Sequence, residues 1–253
     1  MALGRVPEAT PAVLGFIVGF FISGSAMVSN DYFDLEVDKI NQPSRPLPSG
    51  RATVREVVLL TIILSFIGLL AAAFIGLPEL ILAMITWTVG MLYNWKYKST
   101  GLPGNMMVAF SVSITFIFGG LAAENLNGMV LTFGALAFIF DLSEEIVNGV
   151  LDAEGDAKRS SRSIARVYGR NTAIVLSGAL FALFIAITIV PYLIGWLGPV
   201  YLGMVSCVDI AVMGLFAQLI KKKNTLEEER KIVRLLYLTM LLFIIAFLII
   251  AAV

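Results

Sequence analysis

The sequence predicts an all-α membrane protein, a polytopic bundle of eight visible spans forming two four-helix halves around a central cavity. Three observations carry that expectation. Of 253 residues, 58% are hydrophobic and only 14% charged, against about 45–50% and about 25% in a soluble domain. Eight apolar stretches approach or exceed the roughly 20 residues a helix needs to cross a bilayer. An acidic motif that begins at Asn30 begins again at Asn148, four spans later, so the chain reads as two parallel repeats.

The spans follow one another with short connections. The first is read at 11–30, with Ser23-Gly24-Ser25-Ala26 in its middle to let a neighbouring helix come close. It runs into the first acidic motif. Residues 41–50 contain Pro43, Pro46 and Pro48, cannot be helical, and should form a stiffened loop over the bundle mouth. Spans at 54–76 and 78–95 come next, the latter ending in Tyr93, Lys96 and Lys98. Spans at 103–123 and 128–149 follow, and the second acidic motif closes the fifth. The last three are read at 171–194, 197–220 and 231–252. Thr225 and Glu228 form a capping box ahead of the final helix. Asp209 is the one acid deep within a predicted span, and a structural hydrogen bond to a neighbouring helix is expected there.

Basic residues set the orientation. Seventeen of the 18 lie in four loops: 31–53 with the start of the second span, 96–102, 150–170 and 221–234. Those loops are therefore expected on the cytoplasmic side, with both chain ends outside. Most acidic residues share that face, so nearly all ionic chemistry sits at one membrane surface. Lys+Arg and Asp+Glu balance at 18 each, which argues against nucleic acid as a partner. A cation transporter would need polar groups along a path through the membrane, and the spans do not supply them. The chain has no histidine and a single cysteine, Cys207. That excludes His-based triads, Cys-cluster metal sites and the usual near-neutral base.

Both acidic motifs read Asn-x-x-x-Asp-x-x-x-Asp: Asn30, Asp34 and Asp38, with Asp31 beside them, and Asn148, Asp152 and Asp156. Residues four apart stack on one helix face. Each motif thus forms a ladder at a helix C-terminus, where anions oppose the macrodipole and repel one another. Such ladders need cations. Oxygen-only ligands point to a hard ion that keeps waters and shares phosphate oxygens, which fits Mg²⁺. Arg45, Lys96, Lys98, Lys158, Arg159 and Arg162 stand nearby in sequence, and carboxylates beside such cations form an arrangement suited to a diphosphate. The triple Lys221–Lys223 reads as a topological anchor. Asp141, Glu145, Asn148 and Asp152 share a helix face, and Glu145, deeper than the ladder, is the candidate base for an acceptor hydroxyl.

These motifs resemble the UbiA-type intramembrane prenyltransferases over nearly the whole chain. Asn30, Asp31, Asp34 and Asp38 match the family's first motif, Arg45 to Gly50 its following Arg-Pro-Leu-Pro-Ser-Gly, and Asp152, Gly155 and Asp156 its second motif. Tyr93 with Lys96 or Lys98 matches a Tyr-Lys pair. The resemblance implies one transmembrane prenyltransferase domain over 1–253, with halves at 11–123 and 128–253 and cytoplasmic caps at about 31–53 and 150–170. It implies Mg²⁺ at both motifs and a diphosphate held by Arg45, Tyr93, Lys96, Lys98, Lys158 and Arg162. Asp34, Asp38, Asp152 and Asp156 would be catalytic, together with Glu145, in a multi-pass protein whose active site faces the cytoplasm. Family members usually have nine spans, and the ninth would precede residue 11. Asn148-Gly149 stands where many members have Lys-Asp. Two branches resemble the chain most: archaeal ether-lipid enzymes, which transfer a geranylgeranyl group from its diphosphate to geranylgeranylglyceryl phosphate and are the favoured reading, and the chlorophyll-synthase-like branch, with quinone-precursor prenyltransferases further off. Prenylation of an aromatic or tetrapyrrole acceptor is the alternative.

Overall fold

The computed structural model describes residues 8–151, 161–221 and 225–251. No strand occurs among them. The helices are α1 (Ala9–Phe33), α2 (Leu35–Asn41), α3 (Val54–Ile75), α4 (Leu77–Trp95), α5 (Leu102–Ala122), α6 (Gly128–Leu151), α7 (Ile164–Tyr168), α8 (Arg170–Thr188), α9 (Val190–Leu193), α10 (Pro199–Leu219) and α11 (Leu226–Ala251), with a 3₁₀ turn at Tyr97–Ser99. The long helices fall where the apolar stretches do. Six of them, α1, α3, α5, α8 with α9, α10 and α11, are long and apolar enough to cross a membrane. The other two differ in composition: α6 carries Asp141, Glu144 and Glu145, and α4 ends in Tyr93-Asn94-Trp95. Two compact units, Met1–Val130 and Leu131–Val253, divide the chain.

In the first unit α1 is the central helix and packs on α3, α4 and α5. Small residues make this possible. Ser65, Gly68, Ala71 and Ala72 are buried on α3, and a Cβ added at Gly68 would stand 2.9 Å from the Ile22 side chain. Val18, Ile22, Ala71, Ala72 and Ala83 form the core, flanked by Trp87 and Phe118. Trp87 donates its indole N–H to Ser65 Oγ at 2.8 Å. Asn94 donates from α4 to the Ala26 carbonyl at 2.7 Å and to Ser29 Oγ at 2.9 Å, which fastens α4 to α1 one turn short of Asn30. Between α1, α4 and α5 lies a cavity of about 490 Å³, lined mostly by apolar side chains. Thr53 opens α3 with a complete capping box: Glu56 N donates to Thr53 Oγ1 at 3.2 Å and Thr53 N to Glu56 Oε2 at 2.7 Å.

In the second unit Ser143 on α6 and Ser177 on α8 exchange hydrogen bonds with each other's carbonyls at 2.8 and 3.0 Å. Phe140 meets Phe181 edge-on and Phe184 at a tilt, and Phe133 meets Tyr201 edge-on and Phe247 at a tilt. Asp209 behaves as expected: Thr188 on α8 donates its hydroxyl to Asp209 Oδ2 at 2.9 Å, while Tyr201 donates to the Thr188 carbonyl at 2.6 Å. The polar group mid-span thus ties α10 to α8. The capping box at Thr225 is present, with Glu228 N donating to Thr225 Oγ1 at 3.3 Å and Thr225 N to Glu228 Oε2 at 2.7 Å. The next acid, Glu229, is 7% exposed and receives both Arg170 guanidinium nitrogens, at 2.5 and 3.3 Å.

Large apolar side chains cover the outer helix faces. Leu59, Ile62, Phe66 and Phe74 on α3 and Ile210 and Met213 on α10 are exposed. A water-soluble monomer rarely shows contiguous apolar surface on this scale, whereas lipid tails are a suitable solvent for it. The close α1–α3 approach generates a prediction. Gly68→Val drives two methyl groups into Ile22 and should lower the apparent Tm in detergent by several degrees, overpacking costing typically 1–3 kcal/mol. Gly214→Ala meets nothing within 4 Å and should leave Tm unchanged or slightly raised.

Candidate active site

The first acidic motif does not continue as one straight ladder. α1 ends at Phe33, α2 starts at Leu35, and Asp34 between them has φ −90° and ψ 1°. Side-chain contacts sort the four polar residues of the motif into two pairs. Asn30 and Asp34 remain one turn apart, with Asn30 Nδ2 donating to Asp34 Oδ2 at 3.2 Å. Asp38, whose N–H still donates to the Asp34 carbonyl at 2.8 Å, is 1% exposed and shares a cation with Asp31. Each pair holds one cation. Lys98 donates to Asn30 Oδ1 at 2.8 Å and also to Asp34 Oδ2. Arg45 Nη1 donates to Asp38 Oδ2 at 2.7 Å and to Asp31 Oδ1 at 3.2 Å. Three carboxylates that would repel one another are thereby held by two cations through charge-assisted hydrogen bonds.

Local backbone chemistry aims both cations. The Pro-rich stretch forms successive turns, with Ser49 N donating to Arg45 O at 3.0 Å and Ala52 N to Pro46 O at 3.0 Å. Leu47 is buried beneath it, Gly50 takes the left-handed φ of 76° that closes the last turn, and Arg51 donates to the Ser44 carbonyl. The loop is thus rigid through its own bonds and carries Arg45 over α2. Lys98 rides on the 3₁₀ turn. Thr100 Oγ1 donates to the Tyr97 carbonyl at 2.6 Å, and a Cβ at Gly104 would stand 2.6 Å from that same oxygen, so only glycine lets α5 pack so closely under the turn. Lys96, one residue past α4, points to solvent and makes no ion pair among the described residues. The structure therefore brings Lys98, and not Lys96, to the motif. Tyr93 is half-buried on the last turn of α4.

In the second unit Asn148 is described, near the end of α6, and its amide donates to Tyr237 Oη at 3.4 Å. Asp152, Asp156 and Lys158, with Gly155 and Arg159, lie outside the described residues. Arg162 is exposed ahead of α7. Asp141 and Glu144 are buried on α6, Glu144 completely, and neither Glu144 oxygen has a hydrogen-bond partner among the described residues. Glu145 is half-buried. Spacing alone did not single out Glu144: it stands at i+3 from Asp141 and i+4 before Asn148, a helical spacing as good as Glu145's, and only burial separates the two.

The profile of the UbiA prenyltransferase family matches residues 1–244. The chain belongs to that family. Digeranylgeranylglyceryl phosphate synthase of Korarchaeum cryptofilum is 35% identical over 210 residues, covering 83% of this chain and 74% of the relative. The synthase of the same name from Thermococcus kodakarensis is 32% identical over 249 residues, 98% of this chain and 88% of the relative. Among solved structures, one described as digeranylgeranylglyceryl phosphate synthase in membranes superimposes with a TM-score of 0.81 at 33% identity, over 95% of this chain and 85% of that one. A UbiA homologue from Archaeoglobus fulgidus bound to GPP and Mg²⁺ gives a TM-score of 0.81 at 18% identity, over 100% of this chain and 91% of its own, a likeness of fold alone. As a UbiA prenyltransferase with six strongly apolar helices, the chain is a multi-pass membrane enzyme. Its first motif suits a hard divalent ion in donor chemistry, being carboxylates and an amide without nitrogen or sulfur ligands. Among the described residues no three acidic side chains come together closely enough to hold an ion by themselves, so an ion there would complete its shell with waters and phosphate oxygens.

The geometry separates the two lysines that the sequence leaves equivalent. Lys98→Ala should raise the KM for an isoprenyl diphosphate roughly 10- to 100-fold, the size of one lost hydrogen bond to a charged group. Lys96→Ala should change it less than about threefold, as expected for an exposed charge. Steady-state kinetics on the two variants at saturating divalent metal checks this.

Proposed function

We propose that the protein transfers a geranylgeranyl group from its diphosphate to the hydroxyl of geranylgeranylglyceryl phosphate, at the cytoplasmic face of an eight-span bundle, in ether-lipid synthesis. The observation that carries the reading is a continuous stripe along α1. Ala12, Gly15, Gly19, Ile22, Ser23 and Ala26 line the apolar cavity, and the same helical spacing continues to Asn30 and Asp34. From Ala12 to Ala26 the stripe is about 21 Å long. An apolar tail lying on it would leave its diphosphate beside Asn30, Asp34 and Lys98. The identity to synthases of this reaction, over nearly the full chain, supports the acceptor.

Asn30, Asp31, Asp34 and Asp38, and in the second motif Asn148, Asp152 and Asp156, are the residues assigned to Mg²⁺, which when bound stabilises charge on the departing diphosphate. Arg45 and Lys98, with Tyr93, Lys158 and Arg162, take the diphosphate oxygens. Both cations stand on rigid local structure, so little reorganisation is needed as negative charge builds on the leaving group. The bond from the allylic carbon to the diphosphate oxygen breaks, and the acceptor hydroxyl oxygen forms the new ether bond to that carbon. Its proton goes to Glu145 or to the departing diphosphate, since the chain has no histidine.

Mass spectrometry of products from purified protein given Mg²⁺, geranylgeranyl diphosphate and geranylgeranylglyceryl phosphate tests the assignment. The doubly prenylated ether is expected; product with an aromatic acceptor in its place would overturn the choice of acceptor. Asp34→Asn keeps the shape but removes a ligand charge, and turnover should fall by at least about 100-fold, the order seen when one preorganised electrostatic contact is lost. Glu145→Gln should lower turnover while donor KM stays constant. Unchanged turnover in Glu145→Gln would leave the diphosphate as the base.

A further inference from the structure

We infer that the first acidic motif contains two separate cation seats, each filled by a side chain of the protein, so that a divalent metal binds there tightly only together with a diphosphate. One seat lies between Asn30 and Asp34 and holds the Lys98 ammonium. The other lies between Asp31 and Asp38 and holds the Arg45 guanidinium. The division follows from where the two cations arrive: Lys98 reaches the Asn30–Asp34 pair, and Arg45 reaches Asp31 and Asp38, which lie seven residues apart and so share a helix face.

The charge balance gives the seats their behaviour. Three carboxylates against two cations leave one net negative charge on the resting motif. A bare divalent ion would turn that into a net positive charge, in a place where Asp38 is almost wholly buried and water screens poorly. It would also compete for oxygens that Lys98 and Arg45 already use. An incoming diphosphate changes the balance, for it offers phosphate oxygens to the two displaced cations while sharing others with the metal. Metal and diphosphate therefore assist each other's binding, and by reciprocity each raises the other's affinity by the same factor. The diphosphate as donor headgroup is taken from the function proposed above; the two seats themselves stand on contacts within the first unit.

The test is metal affinity without diphosphate. Mn²⁺ binding to the purified full chain is titrated by the electron paramagnetic resonance signal of free ion, in wild type, Lys98→Met and Arg45→Met. Vacating either seat should tighten Mn²⁺ at least about fivefold. Binding of a non-reactive geranylgeranyl thiodiphosphate at fixed saturating Mg²⁺ should weaken in the same variants. Lys98→Gln, which keeps a hydrogen-bond donor and loses only the charge, repeats the measurement should Lys98→Met fold poorly. The double variant Asp34→Asn with Lys98→Met should lose the gain. Unchanged or weaker Mn²⁺ binding in both Lys98→Gln and Arg45→Met would overturn the two seats, even in a protein that makes the ether product. Tighter Mn²⁺ binding in a protein that makes no ether product would uphold the seats and refute the function.

Discussion

Three carboxylates at the C-terminal end of a membrane helix are an unstable arrangement unless cations meet them, and much of the first unit serves that requirement. The macrodipole of α1 and mutual repulsion both act against Asp31, Asp34 and Asp38. Arg45 and Lys98 answer them, each carried on the segment that connects two helices. The loop from Gln42 to Thr53 is tied by its own backbone bonds and the buried Leu47, so Arg45 meets two aspartates without a long search. The 3₁₀ turn under Lys98 is pinned by Thr100 and by the close passage of Gly104. Asn94, one turn inside, keeps α4 and α1 in register. A site built this way is charged but nearly balanced, and so can exist at the edge of an apolar cavity.

The helical membrane character was legible from composition and run length, because the bilayer demands both and permits few alternatives. The observed long helices begin and end within about five residues of the apolar stretches; α11 begins earliest relative to its stretch, since the charged residues 227–231 extend it past the apolar part. Capping chemistry was readable at Thr225, where Glu228 follows at the right spacing. Asp209 was readable for a different reason, since a lone carboxyl in a span must find a donor, and Thr188 supplies it.

Other features were beyond periodicity. A four-residue spacing predicts a single ladder through Asp38, but Lys98 takes up Asn30 and Asp34 while Arg45 takes up Asp31 and Asp38. Lys96 and Lys98 are equivalent in sequence and differ only because the 3₁₀ turn rotates one of them toward α1. Glu144 and Glu145 are likewise neighbours with equal claims on spacing, and packing on α6 buries the first entirely. In each case the deciding information is a contact across sequence distance.

Lys98 and Arg45 hold the first motif by charge, and a double-mutant cycle on each pair measures that directly. Stability toward unfolding in metal-free detergent is measured for wild type, Lys98→Met, Asp34→Asn and the double variant, with the Arg45–Asp38 pair as a second cycle. Each single change should destabilise and the double change should cost clearly less than their sum, with a coupling of about 1–3 kcal/mol. Additive effects in both cycles would contradict it.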